Sequence, residues 1–202
     1  MSDNHAAIDE QINRVVSALE SNNITVKVVQ NGDEASDLIE QIIPDGAEVM
    51  TMTSVTLDTL GVAEKLNSEK YDSVKGKLSS MSRETHGRQM QQIGAAPEWA
   101  VGSVHAVTED GKVVIASNTG SQLPAYAYGA EHVVWVVGVQ KIVSNLDEAM
   151  KRIDEYVLPL ESERARKAYG VEGSYVSKLL IVNREVKKDR VTMILVKESL
   201  GY

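Results

Sequence analysis

The chain has 202 residues and carries 29 acidic against 21 basic side chains, a formal net charge of −8. That length fits one domain over residues 1–202, whose core is large enough to need no covalent staples. The absence of cysteine excludes disulfides, thiolate metal sites, cysteine nucleophiles and thiolate-held iron–sulfur clusters, while 4% aromatics, no Phe and a pI near 5.1 argue against nucleic-acid binding.

Ile8, Ile12, Val15, Val16 and Leu19 recur at helical spacing and predict an amphipathic helix over 4–22. A β-branched strand, Ile24–Val29, follows. Gly32-Asp33-Glu34 opens a second helix carrying Leu38, Ile39, Ile42 and Ile43, and Pro44-Asp45-Gly46 closes it with turn chemistry. Ala47–Met52 reads as a strand, Thr53–Thr56 as a polar turn and Leu57–Leu66 as a helix. This alternation of helix and strand indicates a parallel sheet with helices packed on it. Residues 67–81 are polar and read as a loop or frayed edge; 82–94 read as a helix ending at Gly94, and Pro97 begins a new element. Val104–Thr108 and Lys112–Ala116 flank Glu109-Asp110-Gly111, a short-range hairpin signal. The polar run Ser117–Pro124 leads to a short helical stretch ending at Gly129, then to the most apolar strand, His132–Val139, and Gln140-Lys141. Asn145-Leu146-Asp147-Glu148 is a capping box starting a helix through Val157, limited by Pro159. A charged helix over 160–169 ends at Gly170, and Lys178–Asn183 and Arg190–Val196 are two closing strands joined by the charged turn Arg184–Asp189.

Charge is distributed unevenly. Residues 1–60 hold 11 acids and only two bases, Arg14 and Lys27, so any anion site is expected further along. The start lacks the basic segment and apolar run of a secretory signal, and Val133–Val139 is far short of the roughly 20 residues of a membrane helix. A cytoplasmic protein bound to neither membrane nor nucleic acid is the expectation.

Three polar turns sit where open α/β sheets place ligands, just past the carboxyl ends of strands. They are Thr53, Ser54 and Thr56; then Thr119, Gly120, Ser121 and Gln122, before a helix that Pro124 could begin; then Lys141 after the most apolar strand. Small hydroxyls and exposed amides at helix N-termini suit a phosphate or carboxylate, and a lysine adds a point charge. The same hydroxyls could equally be plain helix caps. The three turns are expected to converge on one small anionic metabolite. Glu109, beside a tight glycine turn, is either a nucleophile or base or an exposed hairpin residue. His5, His86, His105 and His132 are scattered without metal-pair spacing, so no metal or cofactor is expected; His86 could be an acid/base or surface residue, and His132 reads as structural. No nucleophile elbow, Walker loop or dinucleotide fingerprint is present.

Val104–Val114, Thr119–Ala125, Val133–Val143, Leu158–Glu161 with Arg164, Ala168–Val171 and Leu195–Tyr202 together resemble the LUD domain, the lactate-utilisation family of LutC and YkgG type. The resemblance is good over about residues 80–202 and covers the front third in element order alone. It implies a three-layer α/β fold of the NagB/RpiA/CoA-transferase-like group, a mostly parallel sheet flanked by helices with ligands over the strand ends. It also implies a role in oxidising lactate or a related organic acid beside partner subunits carrying iron–sulfur clusters; apart from the resemblance, a homo-oligomer is a further partner option. Without cysteine this chain's part would be non-redox, as an accessory or small-anion-binding subunit. The alternative is a stand-alone CoA-transferase or sugar-phosphate isomerase, with Glu109 as nucleophile or base and Lys141 as electrostatic partner. Glu109-Asp110-Gly111 is similar to the Glu-Asn-Gly turn of class I CoA-transferases, but Asp110 replaces the Asn, and its charge would repel a developing acyl-CoA anion.

Overall fold

The computed structural model describes the backbone of residues 2–202 and side chains from Ile8 onward, which leaves the His5 side chain outside the described residues. The chain opens with α1 (Ser2–Ser21), β1 (Thr25–Val29), α2 (Gly32–Ile42) and β2 (Glu48–Thr51). Next come α3 (Val55–Thr59), α4 (Val62–Leu66), β3 (Asp72–Ser73), α5 (Val74–Ser79) and α6 (Arg83–Ala95). The middle holds β4 (Trp99–Gly102), β5 (Ala106–Thr108), β6 (Val113–Ser117), a π turn (Ala125–Gly129), β7 (His132–Gly138), a 3₁₀ turn (Val139–Lys141) and β8 (Ile142–Val143). The chain ends with α7 (Leu146–Arg152), a second π turn (Ile153–Val157), α8 (Leu158–Tyr169), β9 (Lys178–Val182) and β10 (Val191–Val196).

Six strands form a wholly parallel sheet in the order β1-β10-β7-β4-β2-β3. Its central strands are apolar at nearly every position because both faces are covered. Along β7, Val133, Trp135 and Val137 enter one core, while Val134 and Val136 enter the other. The first core takes Ile12, Val15 and Leu19 from α1; the second takes Ala35 and Ile39 from α2, Leu57 from α3 and Leu66 from α4. The α/β architecture, a mostly parallel sheet flanked by helices, is thus the one the alternation of elements called for.

The second half adds a smaller mixed sheet, β8-β5-β6-β9. Val107, Val113 and Ile115 pack it against the core shared with α1, and its other face covers Ala149 of α7 and Ile153. The predicted hairpin, β5 with β6, founds this sheet. The two closing strands are not partners: β9 pairs with β6 and β10 lies between β1 and β7, so the charged turn between them crosses from one sheet to the other.

Three local expectations are also corrected. The helix over 57–66 is split at Gly61, whose φ of +66° is left-handed backbone that favours glycine. Residues 67–81 contain β3 and α5 rather than a loop, with Tyr71 and Val74 buried. Pro159 does not end a helix; it stands at the start of α8, directly after the π turn Ile153–Val157, in a helical run continuous from α7.

Candidate functional site

Parallel strands deliver their carboxyl ends to one side of the sheet, and a cleft of about 570 Å³ lies there. Thr53 and Ser54 follow β2, Ser103 follows β4 and Lys141 follows β7; the far wall comes from the end of β6 and from α8. Thr53, Ser54, Thr56, Thr119, Ser121, Gln122 and Lys141 all line this cleft, so the three polar turns face one space.

Lys141 is the centre of the site. It is 1% exposed, and its Nζ donates to Thr56 Oγ1 at 3.1 Å, Ser103 Oγ at 3.0 Å and the Val104 carbonyl at 3.1 Å. Ser103 is itself held by donating to the Val136 carbonyl at 2.7 Å. No carboxylate compensates the amine among these partners. Burial, with a smaller contribution from Arg152, pushes the Lys141 ammonium down to about 7. His105, on the same wall, accepts the Ala116 N–H at Nδ1, and burial pushes it down to about 4 with Lys141 adding to the shift, so it is neutral at physiological pH.

The remaining charges set the sign of the site. Lys75 and Arg83 line the cleft and form no ion pair with a described residue. Arg164 also lines it but is held bidentately by Glu161, at 2.8 and 2.7 Å. Tyr202 donates to the same carboxylate at 2.8 Å. Burial works to raise Glu161, but these hydrogen bonds outweigh it and hold the carboxyl below its ordinary range. With that pair cancelled, Lys141, Lys75 and Arg83 have no carboxylate partner among the described residues, and Glu161 is the one side-chain carboxylate among the described lining residues of a chain with net charge −8.

The helix-terminus part of the sequence argument does not survive. Ser54 caps α3, accepting the Leu57 N–H at 3.4 Å, but α3 is a helix of five residues. Pro124 leads into a single π turn, and the Gly120 N–H already donates to Ser117 Oγ at 2.8 Å. Gly120 is not among the lining residues. Hydroxyls and cations, rather than helix amides, are therefore what the cleft offers.

Glu109 is placed elsewhere. The hairpin tip packs on α1: Gln11 Nε2 donates to Glu109 Oε1 at 2.8 Å, Arg14 lies 3.6 Å from Oε2, and Asn22 Nδ2 donates to the Gly111 carbonyl at 3.1 Å. Gly111 has φ +81°, and a Cβ there would come within 2.8 Å of the Ala18 backbone, so the turn closes directly onto the helix. Glu109 does not line the cleft and its side chain is engaged by α1, in place of the expected position in the cleft beside Thr119 or Lys141. His86 is exposed beside Thr85, and His132 stacks on Trp99 at 4.2 Å at the opposite, amino end of the strands.

Sequence reasoning passed over Ser103, His105, Lys75 and Arg83. Ser103 and His105 follow the apolar strand β4, and that position past a strand end was a usable signal. Lys75 and Arg83 lie in and beside a stretch that read as a loop, and nothing in their spacing marked them.

A model of the LUD domain family matches residues 12–196. The crystal structure of a DUF162 family protein from Deinococcus radiodurans superposes with a TM-score of 0.59 at 11% identity, covering 94% of this chain and 98% of that one. eIF2B beta from Chaetomium thermophilum is a weaker neighbour, with a TM-score of 0.38, 13% identity and coverage of 56% and 43%. No curated protein matches the sequence. At such identities the structural likeness speaks for the fold alone.

Proposed function

The chain belongs to the LUD domain family, and from that premise we propose that it is a lactate-utilisation-type protein whose cleft binds a small anionic metabolite, a carboxylate or a phosphate. The observation that carries this is a buried, carboxylate-free Lys141 at the floor of a cleft whose cations outnumber its acids in an otherwise acidic chain. Thr53, Ser54, Thr56, Ser103, Thr119, Ser121 and Gln122 supply hydroxyl and amide groups for the anion's oxygens, and Lys75 and Arg83 draw it to the mouth. Since the sequence holds no cysteine, electrons in such a system pass through partner subunits with iron–sulfur clusters, and this subunit has a non-redox, accessory part in the cytoplasm. Among the described residues no helix is long and apolar enough to cross a membrane. The alternative transferase or isomerase reading is the less favoured, because Glu109 does not line the cleft and its side chain packs against α1.

A thermal-shift series with lactate, pyruvate, sugar phosphates, ATP and CoA tests the proposal, since a ligand bound only to the native state raises the melting temperature. At least one of these anions is expected to raise it, and Arg83→Ala should weaken that ligand several-fold at low salt with little effect on the unliganded protein. No shift from any of them, at low salt and neutral pH, would remove the anion site.

A further inference from the structure

Anion binding uses Lys141 only as a charge, yet its surroundings fit the neutral amine equally well. As an ammonium, Nζ donates to Thr56 Oγ1, Ser103 Oγ and the Val104 carbonyl. As an amine it keeps the last two, and the Thr56 hydroxyl, which otherwise reaches the Leu200 carbonyl at 3.4 Å, turns to donate into the lone pair. The Leu200 carbonyl is not stranded by that rotation, because Gln140 Nε2 donates to it at 2.8 Å. Both protonation states are therefore fully hydrogen-bonded, and no carboxylate biases the choice. A desolvated lysine held in this way at the floor of an open cleft is a carbonyl nucleophile.

We propose that Lys141 captures the carbonyl carbon of a small oxo acid as a reversible imine, the acid's carboxylate being held by the cleft's hydroxyls and uncompensated cations. This rests on the anion-binding reading and assigns to that site a chemical class of ligand, an anion carrying an aldehyde or ketone. The Nζ lone pair forms the C–N bond as the C=O π pair moves to oxygen. Nζ loses a proton and the oxygen gains one, giving a carbinolamine. The carbinolamine hydroxyl then takes up a proton from solvent, the C–O bond breaks and water leaves with the bonding pair, while the nitrogen lone pair forms the C=N bond and a protonated imine remains. Nothing is oxidised or reduced. The Thr56 and Ser103 hydroxyls, at 3.1 and 3.0 Å, are the groups placed to relay these protons.

The rate of capture and the affinity of plain electrostatic binding respond to pH in opposite ways. An anion that merely rests against Lys141 needs the ammonium, so its affinity falls as pH rises through about 7. Attack on a carbonyl needs the free amine and strengthens over the same range. The other groups near Lys141 do not reverse this: Arg152 of α7 is a permanent cation, His105 is neutral above about 4, and Glu161 of α8 is held ionised by Arg164 and Tyr202.

The test treats the full chain with pyruvate and cyanoborohydride, which reduces imines in place, and maps the modified lysines by peptide mass spectrometry. Lactate, of similar size and charge but with no carbonyl, is followed in parallel by thermal shift. The expected result is one N-carboxyethyl group on Lys141, formed at least about tenfold faster than on exposed lysines, slowed by excess lactate and lost as pH falls below about 7. Lys141→Arg should still respond to lactate but give no adduct; if that variant does not fold, the map of the unsubstituted protein decides alone. Lactate binding with adducts only on surface lysines would overturn the capture and leave the anion site standing. No lactate shift and no adduct on Lys141 would overturn the capture and the carboxylate site, and the anion site would be overturned with them if the other anions of the thermal-shift series also fail. An adduct on Lys141 without any lactate shift would support the capture and remove the plain carboxylate site.

Discussion

β7, which leads to Lys141 at the floor of the cleft, is buried from Val133 to Gly138, whereas α6, which carries Arg83 at the rim, buries none of its 13 residues. The floor is held from both faces of a parallel sheet and cannot shift without disturbing two cores. The rim helix turns only a half-buried face, Gly87, Met90, Ile93, Gly94 and Ala95, toward the rest of the protein. At its C-terminal end it is fixed by a close backbone approach, the Ala95 carbonyl lying where a Cβ on Gly129 would be only 1.9 Å away. A reactive amine gains from rigid placement, while a cation that guides an anion inward needs only to be near. Under the proposed capture, the difference separates the rigid floor that would hold the amine from the rim that would collect ligand.

The largest consequence is in stability. Trp135 is fully buried and packs edge-on against Tyr126 with ring centroids 5.6 Å apart. Trp135→Ala should cost about 3–5 kcal/mol in urea unfolding, whereas truncating an exposed α6 side chain should change stability by less than about 0.5 kcal/mol. Equal costs at the two places would break the comparison.

A smaller effect follows from the amine itself. The Lys141 ammonium is held near 7 in the folded protein against an ordinary value of 10.5. Between those values the unfolded chain binds the extra proton, so this group makes stability rise with pH, by at most about 1.4 kcal/mol per pH unit. Below about 7 both states are protonated and the slope disappears. The stability difference between the unsubstituted protein and Lys141→Met, measured by denaturation from pH 6 to 10, should be flat below about 7 and then move steadily in favour of the lysine form. A difference that stays constant throughout would show that the floor does not hold the amine low.

The floor was also the part legible in sequence. β-branched runs separated by helical periodicity specify a parallel sheet, and its chemistry falls at strand ends, which is how Thr53, Ser54, Thr56, Thr119 and Lys141 could be singled out. The second sheet was legible only in its β5–β6 hairpin, because β9 finds its partner in β6 across some 60 residues and only the charged turn beside β10 is visible locally. Glu109 misled for a related reason. A tight Asp-Gly turn reads the same whether it faces a ligand or closes on a helix, and the contact with Gln11 and Arg14 lies about a hundred residues away in sequence. Arg83 was invisible because only Met90 and Ile93 are large and apolar on the half-buried face of α6, too few to say from sequence which way the helix points.

The smallest predicted effect is the one that asks most directly whether α6 is a separate unit. Gly87 lies inside this helix at an ordinary helical φ, and a Cβ placed there meets nothing within 4 Å. Gly87→Ala is therefore free of strain and should stabilise the helix by up to about 1 kcal/mol, chiefly by reducing the freedom of the unfolded segment. If α6 opens on its own, that gain appears only in its own opening equilibrium. Amide exchange within 83–95 should slow by up to about fivefold, while the β7 amides and the urea midpoint stay where they were. If α6 is instead part of the cooperative core, the same substitution raises the midpoint and slows β7 and α6 together. That second outcome would join rim and floor into one unit, and Arg83 would then have to be treated as rigidly placed as Lys141.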